Sequence, residues 1–394
     1  MEESKFAFRR IFAPVRESFG PHDILNLTAD MGAGHRRASE ALEGALREAR
    51  PGTTILTLNY IRFVHPLLDI ISSSIYVNTI KVAPELYRRF YRVTKEIEPD
   101  SLWQTLLNNL GHRRLLRLLQ KVKPKVILAT FPTPAGVVGE LKRRGLVSAP
   151  LVTVVTDNAV HTQWVNPWTD LYIVASEKVL EGLTQRGIPA ERIAVTGIPI
   201  DKKFSENIPR DVLYAKYHLD PSLPTVLVLG SAYGMTHDVP ELCRSLAHTK
   251  RRLQLIVVCG HDKILRWRCL EAVERAKNPA RVFGFVNTMH ELMRVSDLAV
   301  TKAGGLTMSE ALACGLPLVI HKPIPGQEEE NSKFLVSSGA AVESRDAERT
   351  RDLVFHLLDH PDELDAMRQK AKTLGHPNSA RDAAQEIIQR YLHK

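Results

Sequence analysis

Short apolar runs alternate with amphipathic helical stretches from one end of this chain to the other, and no other feature limits the possible folds as strongly. Residues 24–29, 54–58, 126–129, 151–155 and 171–174 form one series of such runs. Residues 225–229, 255–258, 281–283, 298–300 and 318–320 form a second. Runs this short, apolar at nearly every position, predict strands buried on both faces, and the periodic stretches between them (38–50, 238–248 and 308–313) predict helices. The expected class is α/β, a parallel sheet wrapped by helices. Two such arrays in 394 residues predict two doubly wound domains. The boundary is expected near residue 200, where Gly197-Ile198-Pro199-Ile200-Asp201 interrupts both patterns.

Composition excludes several alternatives. With 44% apolar and 25% charged residues, the chain is neither disordered, collagenous nor a coiled coil. No stretch approaches the roughly 18 uncharged apolar residues of a spanning helix. The start, Met1-Glu2-Glu3-Ser4-Lys5, is acidic and has no apolar core of a secretory signal, so a cytoplasmic location is expected. Cys243, Cys259, Cys269 and Cys314 lack paired metal-ligand spacing and fit buried thiols in a reducing compartment.

Charge is unevenly placed. Residues 1–150 hold 23 Lys and Arg against 14 Asp and Glu, whereas residues 151–394 hold 30 of each. The whole excess therefore lies in the first part, which points it toward an anionic partner, nucleic acid or a membrane surface. Residues 61–123 depart from the strand–helix rhythm as a mostly helical insertion. There Tyr76, Tyr87, Phe90, Tyr91 and Trp103 lie among Arg88, Arg89, Arg92 and Lys95. That mixture suits the headgroup level of a membrane, and equally the inside of a helical subdomain. Phe8, Ile11, Phe12, Val15 and Phe19, flanked by Arg9, Arg10 and Arg16, make a second apolar face that Pro14 interrupts.

Four loops carry chemistry. After the first strand comes Thr28-Ala29-Asp30-Met31-Gly32-Ala33-Gly34-His35. Its small residues let backbone N–H groups approach a ligand, and His35 would stand above the strand ends as a general base. After the fourth strand, Thr156-Asp157-Asn158-Ala159-Val160-His161-Thr162-Gln163-Trp164 offers Asp157 and His161 to polarise or orient an acceptor, or else as a cap and a satisfied histidine. The third, Thr301-Lys302-Ala303-Gly304-Gly305-Leu306-Thr307-Met308-Ser309-Glu310, reads as strand, glycine turn and helix. Such a turn presents N–H groups to a diphosphate, with Thr307 adding a hydroxyl and Glu310, in the first helical turn, accepting from ribose hydroxyls. One strand later, Pro323-Ile324-Pro325-Gly326-Gln327-Glu328-Glu329-Glu330-Asn331 supplies Gln327, Glu328 and Asn331, a donor and acceptor mixture suited to sugar hydroxyls.

In this order the Gly-Ala-Gly-His loop, Thr-Asp…His…Trp, Gly-Ile-Pro, Thr-Lys-Ala-Gly-Gly and Pro-Gly-Gln-Glu-Glu-Glu-Asn resemble the monogalactosyldiacylglycerol synthases and processive diacylglycerol glucosyltransferases. The resemblance covers nearly the whole chain, including Pro84-Glu85-Leu86-Tyr87 in the insertion. It implies a GT-B fold of two Rossmann-like domains facing a cleft. Residues 1–200 would take the acceptor, residues 201–377 the nucleotide-sugar, and a final helix within 378–394 would cross back to the first domain. It also implies inverting transfer of a hexose from a UDP-sugar to diacylglycerol at the inner face of the cell membrane. No cofactor or metal is called for, and nucleic acid is not a partner. By motif, Gly230, Ser231, Gly304, Gly305 and Thr307 would meet the phosphates, Glu310 the ribose, Gln327, Glu328 and Asn331 the sugar, and the backbone at Phe285 and Val286 the uracil. His35 or Asp157 would be the base. Gly32, Gly34, His161, Trp164, Tyr87, Arg88, Arg89 and Arg92 would serve the acceptor and membrane. One departure is Cys259-Gly260-His261-Asp262, where relatives carry Cys-Gly-Lys-Asn. The alternatives are another lipid acceptor or a UDP-sugar epimerase on the same scaffold.

Overall fold

A computed structural model describes residues 20–30, 33–64, 85, 89, 111–230 and 238–392. The expected faces at residues 8–19, and Tyr87, Arg88 and Arg92 of the insertion, lie outside the described residues. Arg89 is helical and exposed. The chain divides into two compact units, Met1–Asp201 with Ser379–Lys394, and Lys202–Asn378.

The first unit is built on six parallel strands: β1 (Ile24–Thr28), β2 (Ile55–Asn59), β3 (Val126–Ala129), β4 (Leu151–Val154), β5 (Leu171–Val174) and β6 (Ile193–Val195), in the order β2-β1-β3-β4-β5-β6. Their apolar residues divide by parity between two cores, as the pleat requires. Ile127 and Ala129 join Leu25, Leu27 and the helix His112–Val122 on one face. Val126 and Leu128 join Ile24, Val152 and the helices Ala33–Ala49 and Ser379–Tyr391 on the other. Because both faces are covered, these strands need no polar alternation.

The second unit repeats the plan with β7 (Thr225–Leu229), β8 (Gln254–Val258), β9 (Ala280–Phe283), β10 (Leu298–Thr301), β11 (Leu318–His321) and β12 (Ala341–Ser344), ordered β12-β11-β10-β7-β8-β9. Its core gathers Val226, Val228, Leu255 and Val257 with Leu242 and Leu246 of the helix Val239–Ala247.

β6 and β12 escape the sequence pattern. Each is an edge strand with one neighbour, and Ile-Ala-Val and Ala-Val-Glu-Ser are too short or too polar to register as buried runs. In an open parallel sheet, ligands bind beyond the strand ends where the strand order reverses. The reversal falls between β1 and β3 in the first unit and between β7 and β10 in the second.

Candidate active site

Of the loops that the sequence singles out, those at His35 and Gly304 follow strands at these reversals, β1 and β10, whereas those at Asp157 and Glu328 follow β4 and β11. In the first unit, β1 leads through Ala29 and Asp30 to the helix Ala33–Ala49, which places Gly34 and His35 in its first turn. β3 leads to Thr130 and Phe131, ahead of the helix Pro132–Arg143. The His35 Nδ1 lies 2.8 Å from the Thr130 carbonyl oxygen and 2.9 Å from the Thr156 hydroxyl. A carbonyl only accepts, so the imidazole proton is fixed on Nδ1 and the lone pair is left on Nε2. Phe131 meets the ring edge-on at 5.1 Å between centroids, and Trp164 lies at 6.3 Å. Burial pushes His35 down from 6.5 to about 4, against the opposing bond to Thr130. The imidazole is therefore neutral at pH 7 and in its proton-accepting form.

Asp157 is buried, and its carboxylate accepts from the Trp164 indole N–H at 3.2 Å. The indole in turn walls His35. His161 is buried and caps the short helix Thr162–Trp164, its Nδ1 accepting from the Gln163 N–H at 3.2 Å. The structure thus brings His35, Asp157 and Trp164 into one array. Gly32 lies outside the described residues.

Thr130, Phe131 and Thr156 complete the array without having been assigned roles from sequence. The available signal was position: Thr130 and Phe131 begin the loop after the strand paired with β1, and Thr156 begins the loop after β4.

In the second unit, Gly304 caps the helix Gly305–Ala313 with φ −71°, a conformation open to any residue. Among the described residues no atom beyond its chain neighbours lies within 4 Å of where its Cβ would stand, so neither the turn nor their packing requires glycine there. The first N–H groups of the helix follow directly, and an anion is favoured at such a terminus. Gly305 and Thr307 lie in the first turn. Because the helix starts at Gly305 rather than near 308, Glu310 falls in the second turn instead of the first, and it is buried.

Gly230 has a different reason to be glycine. A Cβ there would stand 2.6 Å from Leu265 Cδ2, so internal packing already demands its absence. Ser231 lies outside the described residues. Phe285 is exposed and stacks on His261 at 4.3 Å with the rings 11° apart, while Val286 is half-buried. His261 and Phe285 thus form a stacked aromatic pair.

Gln327 and Glu328 open the helix Gln327–Ser337 after Gly326, whose φ of 91° only glycine adopts readily. Glu328 Oε2 accepts from the Ile324 N–H at 2.8 Å. Burial raises the Glu328 carboxyl, and Lys302 opposes that shift. Burial lowers Lys302, and Glu328 and Asp238 oppose that one. The Lys302 ammonium therefore offsets part of the burial cost of the Glu328 carboxylate, and Glu328 and Asp238 offset part of that of the ammonium. Asp238 accepts from His321 at 2.8 Å and Lys322 at 2.6 Å, which holds its carboxyl well below the usual range despite burial. Asn331 is fully buried and its amide donates to the Ala303 carbonyl at 3.1 Å, bracing the glycine turn from below.

Comparison with known proteins agrees with this architecture. The family model for monogalactosyldiacylglycerol (MGDG) synthase matches residues 35–200, and that for the glycosyltransferase family 28 C-terminal domain matches residues 226–390. A processive diacylglycerol beta-glucosyltransferase of Bacillus cereus is 34% identical over 365 residues, which cover 93% of each chain. Among solved structures, MurG of Acinetobacter baumannii superposes with a TM-score of 0.60 at 16% identity, covering 93% of this chain and 99% of the other. A UDP-GlcNAc 2-epimerase from Neisseria meningitidis bound to UDP-GlcNAc gives 0.60 at 12% identity, covering 93% and 100%. Two Rossmann-like units of this kind define the GT-B fold, which the epimerase shares; the two family models and the Bacillus relative make this chain a glycosyltransferase. The sequence goes further: with a third of its residues shared over almost its full length, the chain belongs to the family of monogalactosyldiacylglycerol synthases and processive diacylglycerol glucosyltransferases.

Proposed function

We propose that this enzyme moves a hexose from a UDP-sugar to the free hydroxyl of diacylglycerol, with inversion at the anomeric carbon, at an anionic membrane surface. The observation that carries the reading is His35. It is a neutral imidazole held by the Thr130 carbonyl with its Nε2 lone pair available, in a unit whose relatives bear diacylglycerol in their names. Nε2 takes the hydroxyl proton as the acceptor oxygen bonds to the anomeric carbon. The bond from that carbon to the β-phosphate breaks in the same displacement, and UDP leaves with its electron pair.

Charge developing on UDP falls to the N–H groups at the start of the helix Gly305–Ala313 and to the Thr307 hydroxyl, with no need for a metal. Glu328 takes the sugar hydroxyls and Glu310 the ribose. Asp157 is a positioning residue, holding Trp164 against the imidazole. The basic excess of residues 1–150 is the membrane-facing charge. No helix among the described residues is long and apolar enough to cross a membrane, which fits surface contact.

The test measures UDP release from UDP-glucose and UDP-galactose with and without diacylglycerol, in EDTA, and assigns the product's anomeric configuration by NMR. Release that depends on diacylglycerol, with an inverted glycolipid product, is expected. Release or epimerisation without any acceptor would overturn the reading. Asp157→Asn, which keeps an acceptor for the indole, is expected to retain most turnover. A dead Asp157→Asn beside an active His35→Ala would make Asp157 the base.

A further inference from the structure

The helix Lys263–Ala272 turns an apolar stripe toward solvent. Leu265, Cys269 and Ala272 lie on its inner face and are buried, and the helix packs on Val239–Ala247 and β9. On the outer face Ile264 is 68% exposed, Trp267 62% and Leu270 43%. At three-residue spacing these three side chains run along one side of the helix, where a helix of a water-facing surface carries polar residues. Arg266 and Arg268 flank Trp267 on either side, Lys263 stands at the start, and all three are exposed. Glu271 is the one acidic residue of the helix.

We propose that this face docks on an anionic lipid surface, giving the second unit a membrane contact of its own. The proposal deepens the lipid-acceptor reading, on which its use to the enzyme rests. Three observations favour lipid over a second protein. First, the charge of the helix is complementary to anionic headgroups, and the arginine stems are long enough to lie along the apolar stripe while their guanidinium groups reach phosphate. Second, a tryptophan at the crest with aliphatic neighbours matches the headgroup–acyl boundary. Third, three side chains offer far less than the roughly 800 Å² per partner that a stable protein interface buries. The helix is also formed in advance. The Asp262 carboxylate caps it, accepting from the Leu265 N–H at 2.8 Å, so docking has little ordering entropy to overcome.

The experiment uses the full chain and vesicles without diacylglycerol, so a failure of the catalytic reading leaves its outcome unaffected. Co-sedimentation is measured with phosphatidylglycerol-rich and pure phosphatidylcholine vesicles, for wild type, Ile264→Ser/Trp267→Ser/Leu270→Ser and Arg266→Glu/Arg268→Glu. Melting curves check that these exposed substitutions leave the fold intact. Binding to the anionic vesicles is expected to fall about tenfold or more in the triple variant. The charge-reversal pair should weaken binding to the anionic vesicles and narrow, without abolishing, the preference for anionic over neutral lipid, since residues 1–150 keep their basic excess. Acyl-brominated lipids should quench part of the wild-type tryptophan emission, and that part should vanish in Trp267→Phe. Unchanged binding by the triple variant, or no quenching assignable to Trp267, would overturn the proposal. So would a wild-type dimer that the triple variant dissolves while vesicle binding persists.

Discussion

His35→Gln and His35→Ala together probe the imidazole both as a buried group and as a base. The folded protein holds His35 near 4, whereas an unfolded histidine titrates near 6.5. Between these values the unfolded chain binds a proton that the folded chain does not, so stability falls as pH drops through that window and levels off below it. At about 1.4 kcal/mol per pH unit the difference amounts to about 3 kcal/mol. Urea unfolding of wild type across this range should show that loss, and His35→Gln, which cannot titrate, should lack it. In kinetics, kcat/KM of the free enzyme should hold down to an acid limb near 4 instead of bending near 6.5. His35→Ala should lower turnover by about 10²–10⁴-fold with little change in UDP-sugar affinity. A limb at 6.5, or identical pH dependence of stability in wild type and His35→Gln, would refute the burial on which the argument depends.

The two glycines of the second unit should part company. Gly304→Ala should melt like wild type, because its Cβ meets none of the described residues, yet bind UDP about tenfold or more weakly by calorimetry. Gly230→Ala should lose about 1–3 kcal/mol in urea unfolding, because Leu265 occupies the space. Glu328→Gln should spare UDP but weaken intact UDP-sugar by roughly 1–3 kcal/mol, and equal losses for both ligands would place Glu328 on the phosphates instead. Asn331→Ala should cost about 1–3 kcal/mol of stability by leaving the Ala303 carbonyl without its donor, and an unchanged melting curve would contradict that support.

What the sequence alone determined follows from local physics. Apolar runs of four or five residues flanked by helices at regular intervals read as strands, so the two sheets were legible except for β6, with only three residues, and β12, which ends in Glu343-Ser344. Glycines before helices marked the loops at Gly34 and Gly304, because a side-chain pattern ends where a backbone turn begins. Tertiary structure alone distinguished the two glycines, since a Cβ at Gly230 would meet Leu265 and one at Gly304 would meet none of the described residues, and no local pattern separates them. It also decided that His35 meets Thr130 and Thr156, partners 95 and 121 residues away that the strand order delivers to the same place. Chain distance carries no information about such contacts, because the sheet sets them through the pairing of β1 with β3 and of β3 with β4.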